Sequence, residues 1–263
     1  MARMQTLQVS MPSFMSLRLE MKWNGNHLAT GTGFIVMHAD RPYLVTNWHN
    51  LAGRNPGTNE VMSSHGVTPD EVHILHNTKD QLGTWMFKSE RLVDIDDKPL
   101  WLEHPSGGRQ VDVAALPLTN TDGVHLFPYS LDYGPEEDPV LLTPSTAVNI
   151  VGFPFAQSSV AGIGIWARGT IASEPELDYG EWPRFLIDSR TRPGQSGSPV
   201  VFFSPGGAVL RRSGTTAFGG QIIQLLGVYS GRINDQSDIG IVWKNDVIRD
   251  IVTQTWVRPV PGN

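Results

Sequence analysis

The sequence predicts an all-β protein, a barrel or a sandwich, with one helix near its C-terminus. Three observations predict it. Apolar runs are short, four to eight residues, and rich in Val, Ile, Phe and Trp. Turn residues separate them, with 27 Gly and 19 Pro spread along the 263 residues. A clear 3.6-residue period occurs in one place only, with no internal repeat and no low-complexity tract.

Taken in order, the strand candidates are Gly33-Phe34-Ile35-Val36-Met37, Tyr43-Leu44-Val45-Thr46, Val111 to Leu116, Ala147 to Val151 and Leu225 to Tyr229. Each is bounded by turn formers. The stretch from Phe127 to Pro144 is rich in proline and acid and reads as a crossing between two halves, residues 1–130 and 131–263. In the last part, Val247, Ile248, Ile251, Val252 and Trp256 share one helical stripe, with Asn245 or Asp246 available as N-cap. Such a stripe packs a helix onto the body.

Composition excludes several functions. A net charge of −6 with no basic run argues against binding nucleic acid through phosphates. Without cysteine there is no disulfide and no thiolate nucleophile or ligand. No segment approaches the ~20 apolar residues of a membrane helix, and the N-terminus lacks a signal-peptide pattern. The expectation is a cytoplasmic protein with no membrane partner.

The run Arg192-Pro193-Gly194-Gln195-Ser196-Gly197-Ser198-Pro199-Val200 carries the chemistry. A serine hydroxyl attacks a carbonyl only with help: an exposed sharp turn, a neighbouring base, and N–H donors aimed where charge develops. Gly194 can adopt the backbone conformation that turns its N–H inward, and Gly197 removes a Cβ from the approach. The oxyanion hole is then the N–H of Gly194 and of Ser196. The same residue types also make an ordinary surface turn, so the rest of the chain must supply partners.

Of the eight histidines, His49 stands at a strand end in Thr46-Asn47-Trp48-His49-Asn50, where a rigid element presents it. His73 and His76 have metal-ligand spacing for a helix but no evident third ligand, so no metal is expected. Asp112 interrupts the apolar run Val111-Asp112-Val113-Ala114-Ala115-Leu116, and a carboxylate buried there needs a partner. His49, Asp112 and Ser196 thus form a candidate triad.

In order and local context these residues resemble the chymotrypsin/trypsin-like serine proteases of bacterial type. Gly31-Thr32-Gly33-Phe34-Ile35-Val36 followed by Leu44-Val45-Thr46-Asn47-Trp48-His49 looks like the glycine-rich and histidine strands of that family. Asp112-Val113-Ala114-Ala115-Leu116 looks like its aspartate segment. Asp188 to Pro199 is similar to the nucleophile loop of HtrA/Deg-type proteases, and Ser196-Gly197-Ser198-Pro199-Val200 to that of glutamyl endopeptidases. Val151-Gly152-Phe153-Pro154 and Leu226-Gly227-Val228-Tyr229-Ser230-Gly231 are weaker echoes.

The resemblance implies two six-stranded antiparallel β-barrels with a C-terminal α-helix, His49 and Asp112 on the first (residues 1–130), Ser196 on the second (131–263). It implies hydrolysis of a protein or peptide substrate without a cofactor, and places Ser230 beside Asp112. It also puts Arg190, Thr191, Arg192, Tyr229, Ser230 and Gly231 along the substrate. An inward arginine would favour an acidic residue before the scissile bond; alternatively both arginines face water or pair with acids near Asp178 and Glu181. The departures are informative. Gln195 stands where trypsin-type zymogens have aspartate, so activation by a new N-terminus is not expected. Few residues follow the last strand, too few for a PDZ domain, and Tyr229 replaces the histidine of glutamyl enzymes. Two rival readings are a catalytically silent binding module on a protease fold and an ester hydrolase; for the latter no Gly-x-Ser-x-Gly elbow is present.

Overall fold

The computed structural model describes residues 9–132, 138–158, 162–217, 219–234 and 236–254. Trp256, and residues 133–137 of the expected crossing, lie outside them.

The first half holds β1 (Ser16–Trp23), β2 (Asn26–His38), β3 (Arg41–Thr46), β4 (Glu71–Thr78), β5 (Trp85–Arg91), β6 (Leu102–Glu103), β7 (Ala114–Pro117), β8 (Val124–His125) and β9 (Pro128–Tyr129). They make one nine-stranded sheet in the order β5-β4-β1-β2-β3-β7-β6, with β8 on β4 and β9 on β2. The second half holds β10 (Ala147–Gly152), β11 (Ile165–Ile171), β12 (Arg184–Asp188), β13 (Pro199–Ser204), β14 (Val209–Leu210), β15 (Thr216–Ala217), β16 (Ile222–Arg232) and β17 (Ile239–Lys244). Six of these close a barrel, β10-β11-β12-β17-β16-β13, and β14 pairs β15 separately.

The expectation of two six-stranded barrels is therefore corrected: one barrel closes and the other sheet does not. The reason lies between β5 and β6. Asp94 to Lys98 folds into a tight turn, the Asp94 carboxylate accepting the N–H groups of Asp96 and Lys98. Among the described residues its arms are linked by the isolated Val93–Pro99 bridge, with Asp94 N–H bonded to the Lys98 carbonyl and Leu100 N–H to the Leu92 carbonyl, both at 2.9 Å. A two-residue β6 bonded to β7 then ends the sheet.

Apolar residues sort into a core inside each half and a third cluster shared by both. Phe34, Val36 and Val45 of the sheet meet Val201, Leu225 and Val228 of the barrel there. The helix α3 (Asn245–Val252) adds Val247, Ile248, Ile251 and Val252 to this cluster, all buried. Its N-cap is Lys244, one residue before the expected Asn245 or Asp246, because Lys244 is the last residue with extended backbone. Beyond the helix, the Gln254 amide donates to the Glu103 carbonyl at 2.7 Å, and Arg249 donates to Leu131 O at 2.6 Å. The C-terminal helix thus reaches back across the first sheet. At the other end, α1 (Pro12–Met15) joins the halves: Trp166 Nε1 donates to Ser13 Oγ at 2.8 Å and Ser16 Oγ to the Val151 carbonyl at 2.8 Å. No helix among the described residues is long and apolar enough to cross a membrane.

Candidate active site

The register of β3 against β7 brings His49 and Asp112 together. The two strands are antiparallel, with Thr46 opposite Ala114. His49 comes three residues after Thr46 on the short helix α2 (Trp48–Ala52), and Asp112 two residues before Ala114. Both therefore emerge at one end of the sheet. Asp112 was expected within a strand; it lies just ahead of β7, where Val113 N–H bonds back to Val111 O at 2.6 Å. The expected burial holds, with Asp112 4% exposed.

Buried carboxylates need hydrogen-bond donors, and Asp112 has three. Oδ1 accepts the backbone N–H of His49 at 3.0 Å. Oδ2 accepts His49 Nδ1–H at 2.8 Å and the Ser230 hydroxyl at 2.5 Å. Asn47 Nδ2 holds the Asp112 main-chain carbonyl at 2.7 Å. Because a carboxylate only accepts, the neutral imidazole must carry its proton on Nδ1, which leaves the Nε2 lone pair free to take another. Burial alone would push the imidazole pKa down. The charge of Asp112 and its hydrogen bond outweigh that, and His49 sits above the ordinary 6.5.

Ser196 lies on the loop joining β12 to β13. That loop is held through its main chain. Its carbonyl accepts Thr32 N–H at 3.0 Å and Asn50 Nδ2 at 3.1 Å, so the serine is tied to the residue following His49. Gly197 N–H bonds to the Tyr229 carbonyl and Tyr229 N–H to the Ser198 carbonyl, both at 2.9 Å, locking the loop to β16. Among the described residues no hydrogen bond joins the Ser196 hydroxyl to the imidazole, whose ring bonds to Asp112. In ligand-free enzymes such bonds are often long and tighten on substrate.

Gly194 has φ +92°, and a Cβ there would lie 2.5 Å from the Phe153 carbonyl, so only glycine fits. The Pro193 carbonyl accepts Phe155 N–H at 2.7 Å. In a trans peptide C=O and N–H point in opposite directions; anchoring this carbonyl on Phe155 turns Gly194 N–H the other way. Among the described residues neither Gly194 N–H nor Ser196 N–H has an acceptor. Gly197, at φ +85°, is glycine for another reason than expected. A Cβ there would collide with Thr32 O at 2.1 Å and Thr46 Oγ1 at 2.2 Å, so the close approach is to the first sheet.

The remaining expected residues divide. Thr191 and Tyr229 are buried and their hydroxyls bond to each other. Burial, opposed by that bond and by Arg232, pushes the Tyr229 phenol up. Ser230 and Gly231 follow the point where the β13–β16 ladder ends, at Pro199 opposite Val228. Arg190 is exposed, and Arg192 turns its guanidinium onto the Thr191 carbonyl at 2.8 Å. Neither pairs with Asp178, which holds Lys244 instead at 2.6 Å. His73 and His76 lie on a strand, not a helix, three residues apart and hence on opposite faces. His73 meets Glu71 while His76 is buried, so the two cannot share an ion.

A family profile described as trypsin-like peptidase domain matches residues 31–210. The chain belongs to the trypsin-like peptidase family. This trypsin-like peptidase is accordingly a serine endopeptidase. No curated protein matches its sequence significantly. Its fold is chymotrypsin-like and similar to that of solved bacterial proteases. The active form of the Rv3671c protease from M. tuberculosis is 19% identical, with TM-score 0.52, covering 95% of this chain and 84% of its own. The serine endoprotease from Yersinia pestis is 13% identical, with TM-score 0.51, covering 94% and 67% respectively.

The sequence missed three contributors: Asn50, Thr32 and Phe155. Asn50 and Thr32 were visible only as polar residues inside otherwise apolar or glycine-rich contexts. Phe155 gave no signal, since its role is played by a main-chain N–H.

Proposed function

We propose that the trypsin-like peptidase cleaves peptide bonds through His49, Asp112 and Ser196, with Gly194 and Ser196 N–H as the oxyanion hole. Ser196 Oγ attacks the peptide carbonyl while His49 Nε2 takes its proton. The oxyanion forms against the two main-chain donors. The imidazolium, stabilised by Asp112, gives its proton to the leaving amine, and water repeats the sequence on the acyl-enzyme.

The observation that carries this reading is the Asp112 carboxylate accepting both the ring and main-chain N–H of His49, which fixes the tautomer a base requires. The unpaired donors of the serine loop support it. The substrate would run along β16 past Ser230 and Gly231, where the ladder to β13 has ended and an extended peptide can add as a strand. Thr191, Tyr229, Arg190 and Arg192 stand near its entry, the two first as a polar, filled floor. Catalysis is assigned to the residues of the 1–130 half acting on the serine of the 131–263 half.

The test is to incubate purified wild type and Ser196→Ala with casein and with a peptide library. Cleavage by wild type and none above background by the variant is expected. Equal cleavage by both would overturn the assignment. The library reads the residue preference before the scissile bond in the same experiment.

A further inference from the structure

Thr32 sits between Gly31 and Gly33 on β2, completely buried, and three of the hydrogen bonds it makes cross to the second half of the molecule. Its hydroxyl donates to the Gly194 carbonyl at 2.8 Å and accepts Phe153 N–H at 3.1 Å. Its main-chain N–H donates to the Ser196 carbonyl at 3.0 Å, and its carbonyl accepts the Thr46 hydroxyl at 2.7 Å. The two carbonyls it holds belong to the very residues whose N–H groups are left unpaired. The turn it grips through Phe153 is the one whose Phe155 N–H holds the Pro193 carbonyl. That turn stores strain, with Phe155 at φ +52° and Ala156 at φ +60°.

We infer that Thr32 is a positioning residue for the oxyanion hole, a strap from the first sheet that fixes the 194–195 and 196–197 peptide planes, each of which directly follows the peptide that carries one of the two donor N–H groups. The inference rests on the oxyanion reading above. The physical reason is geometric. A donor helps only if it points at the developing charge before the reaction, because reorienting it during the step is costly. Glycine at 194 and at 197 makes the loop able to adopt this conformation and equally able to leave it. The loop's own bonds, Gln195 N–H to Arg192 O and Ser198 N–H to Gln195 O, leave the Gly194 and Ser196 carbonyls to partners outside it. Thr32 supplies one to each. Thr32 touches neither His49 nor Asp112, so its loss should leave the base intact.

The experiment compares Thr32→Val, which keeps the shape, with Thr32→Ser and Thr32→Ala, which differ by one oxygen. The readout is the second-order rate of labelling by a fluorophosphonate, alongside kcat and KM per titrated active site and Tm. In labelling, Ser196 Oγ bonds to phosphorus, fluoride leaves and His49 takes the hydroxyl proton; the phosphoryl oxygen needs the same donors. Thr32→Val and Thr32→Ala should label about 10- to 100-fold more slowly, on the scale of losing part of an oxyanion donor. kcat should fall with KM nearly constant and the pH limb of His49 unmoved, while Thr32→Ser should restore most of the rate. Wild-type labelling rates in Thr32→Ala and Thr32→Val, with a lowered Tm alone, would overturn the inference and make Thr32 a packing residue. If Thr32→Val does not fold, the Ser and Ala pair decides. Failure of the underlying reading is seen separately: wild type would not label, or Ser196→Ala would label equally, and the inference would fall with it.

Discussion

His49 and Asp112 are fixed through their side chains, whereas Ser196 is fixed through its main chain. On the first flank, a buried carboxylate takes hydrogen bonds from an imidazole, a hydroxyl and an N–H, and the position of each atom follows from charge. On the second, glycines at positive φ and carbonyls tied to neighbouring elements hold a loop whose free groups are N–H donors. The difference teaches where each flank is vulnerable. The first fails when a charge or tautomer changes; the second fails when a backbone conformation changes.

The largest break is on the charged flank. Asp112→Asn should lower kcat/KM on the order of 10⁴-fold, because the amide no longer stabilises the imidazolium. The pH profile gives the sign. In the proposed mechanism His49 acts as the neutral base, so activity should rise with pH along a limb centred above 6.5 in the wild type. Both causes that raise it come from Asp112, so the substitution leaves burial to act alone, and the limb should move down. A limb that moved up, or stayed, would contradict the coupling.

On the loop flank, Gly194→Ala places a Cβ 2.5 Å from the Phe153 carbonyl and must rotate the peptide. A loss on the order of 10²-fold in kcat is expected, with the limb of the pH profile unchanged. Steady-state kinetics across pH check both. A smaller effect is expected from Ser230→Ala, which removes one of the hydrogen bonds to Asp112 but neither from His49. About a tenfold fall in kcat/KM matches one lost hydrogen bond to a charged group.

A second histidine sharpens the contrast without touching catalysis. His76 is buried on the same sheet with no carboxylate partner among the described residues, and burial with nearby Lys88 lowers its pKa to about 4. Its folded pKa lies below the unfolded value, so the unfolded chain binds the extra proton between pH 6.5 and 4. Stability should therefore be full above 6.5 and fall as the pH drops through that window, by a few kcal/mol at most. His49 has the opposite sign: its contribution is present below 6.5 and lost as pH rises through its elevated folded value. Denaturant melts of wild type and His76→Leu at pH 7 and pH 4.5 test this, the variant showing the flatter dependence.

Much of this was legible in sequence because local chemistry dictated it. Asp112 had to be buried and partnered, given Val111 and Val113 on either side. Gly194 had to be glycine if its peptide was to turn. Ser230 beside Asp112 followed from the resemblance of Leu226 to Gly231 to the family's cleft strand. What was not legible depends on partners far along the chain. Closure of the first sheet hung on bonds between β5 and β6, which the turn at Asp94 to Lys98 leaves to a single isolated bridge with its two hydrogen bonds. The direction of Arg192 was set by the Thr191 carbonyl rather than by its own type. Thr32 read as part of a glycine-rich strand, because nothing in Gly31-Thr32-Gly33 shows what its hydroxyl will meet.

One measurement bears most directly on the convergence of these two flanks: the rate and site of fluorophosphonate labelling, followed by peptide mass analysis, in wild type and His49→Ala across pH 5 to 9. The account predicts a single adduct on the peptide containing Ser196, a wild-type rate that rises along a limb above pH 6.5, and a rate in His49→Ala lower by several orders of magnitude with no such limb. Equal labelling of the two proteins, or an adduct on another residue, would contradict it.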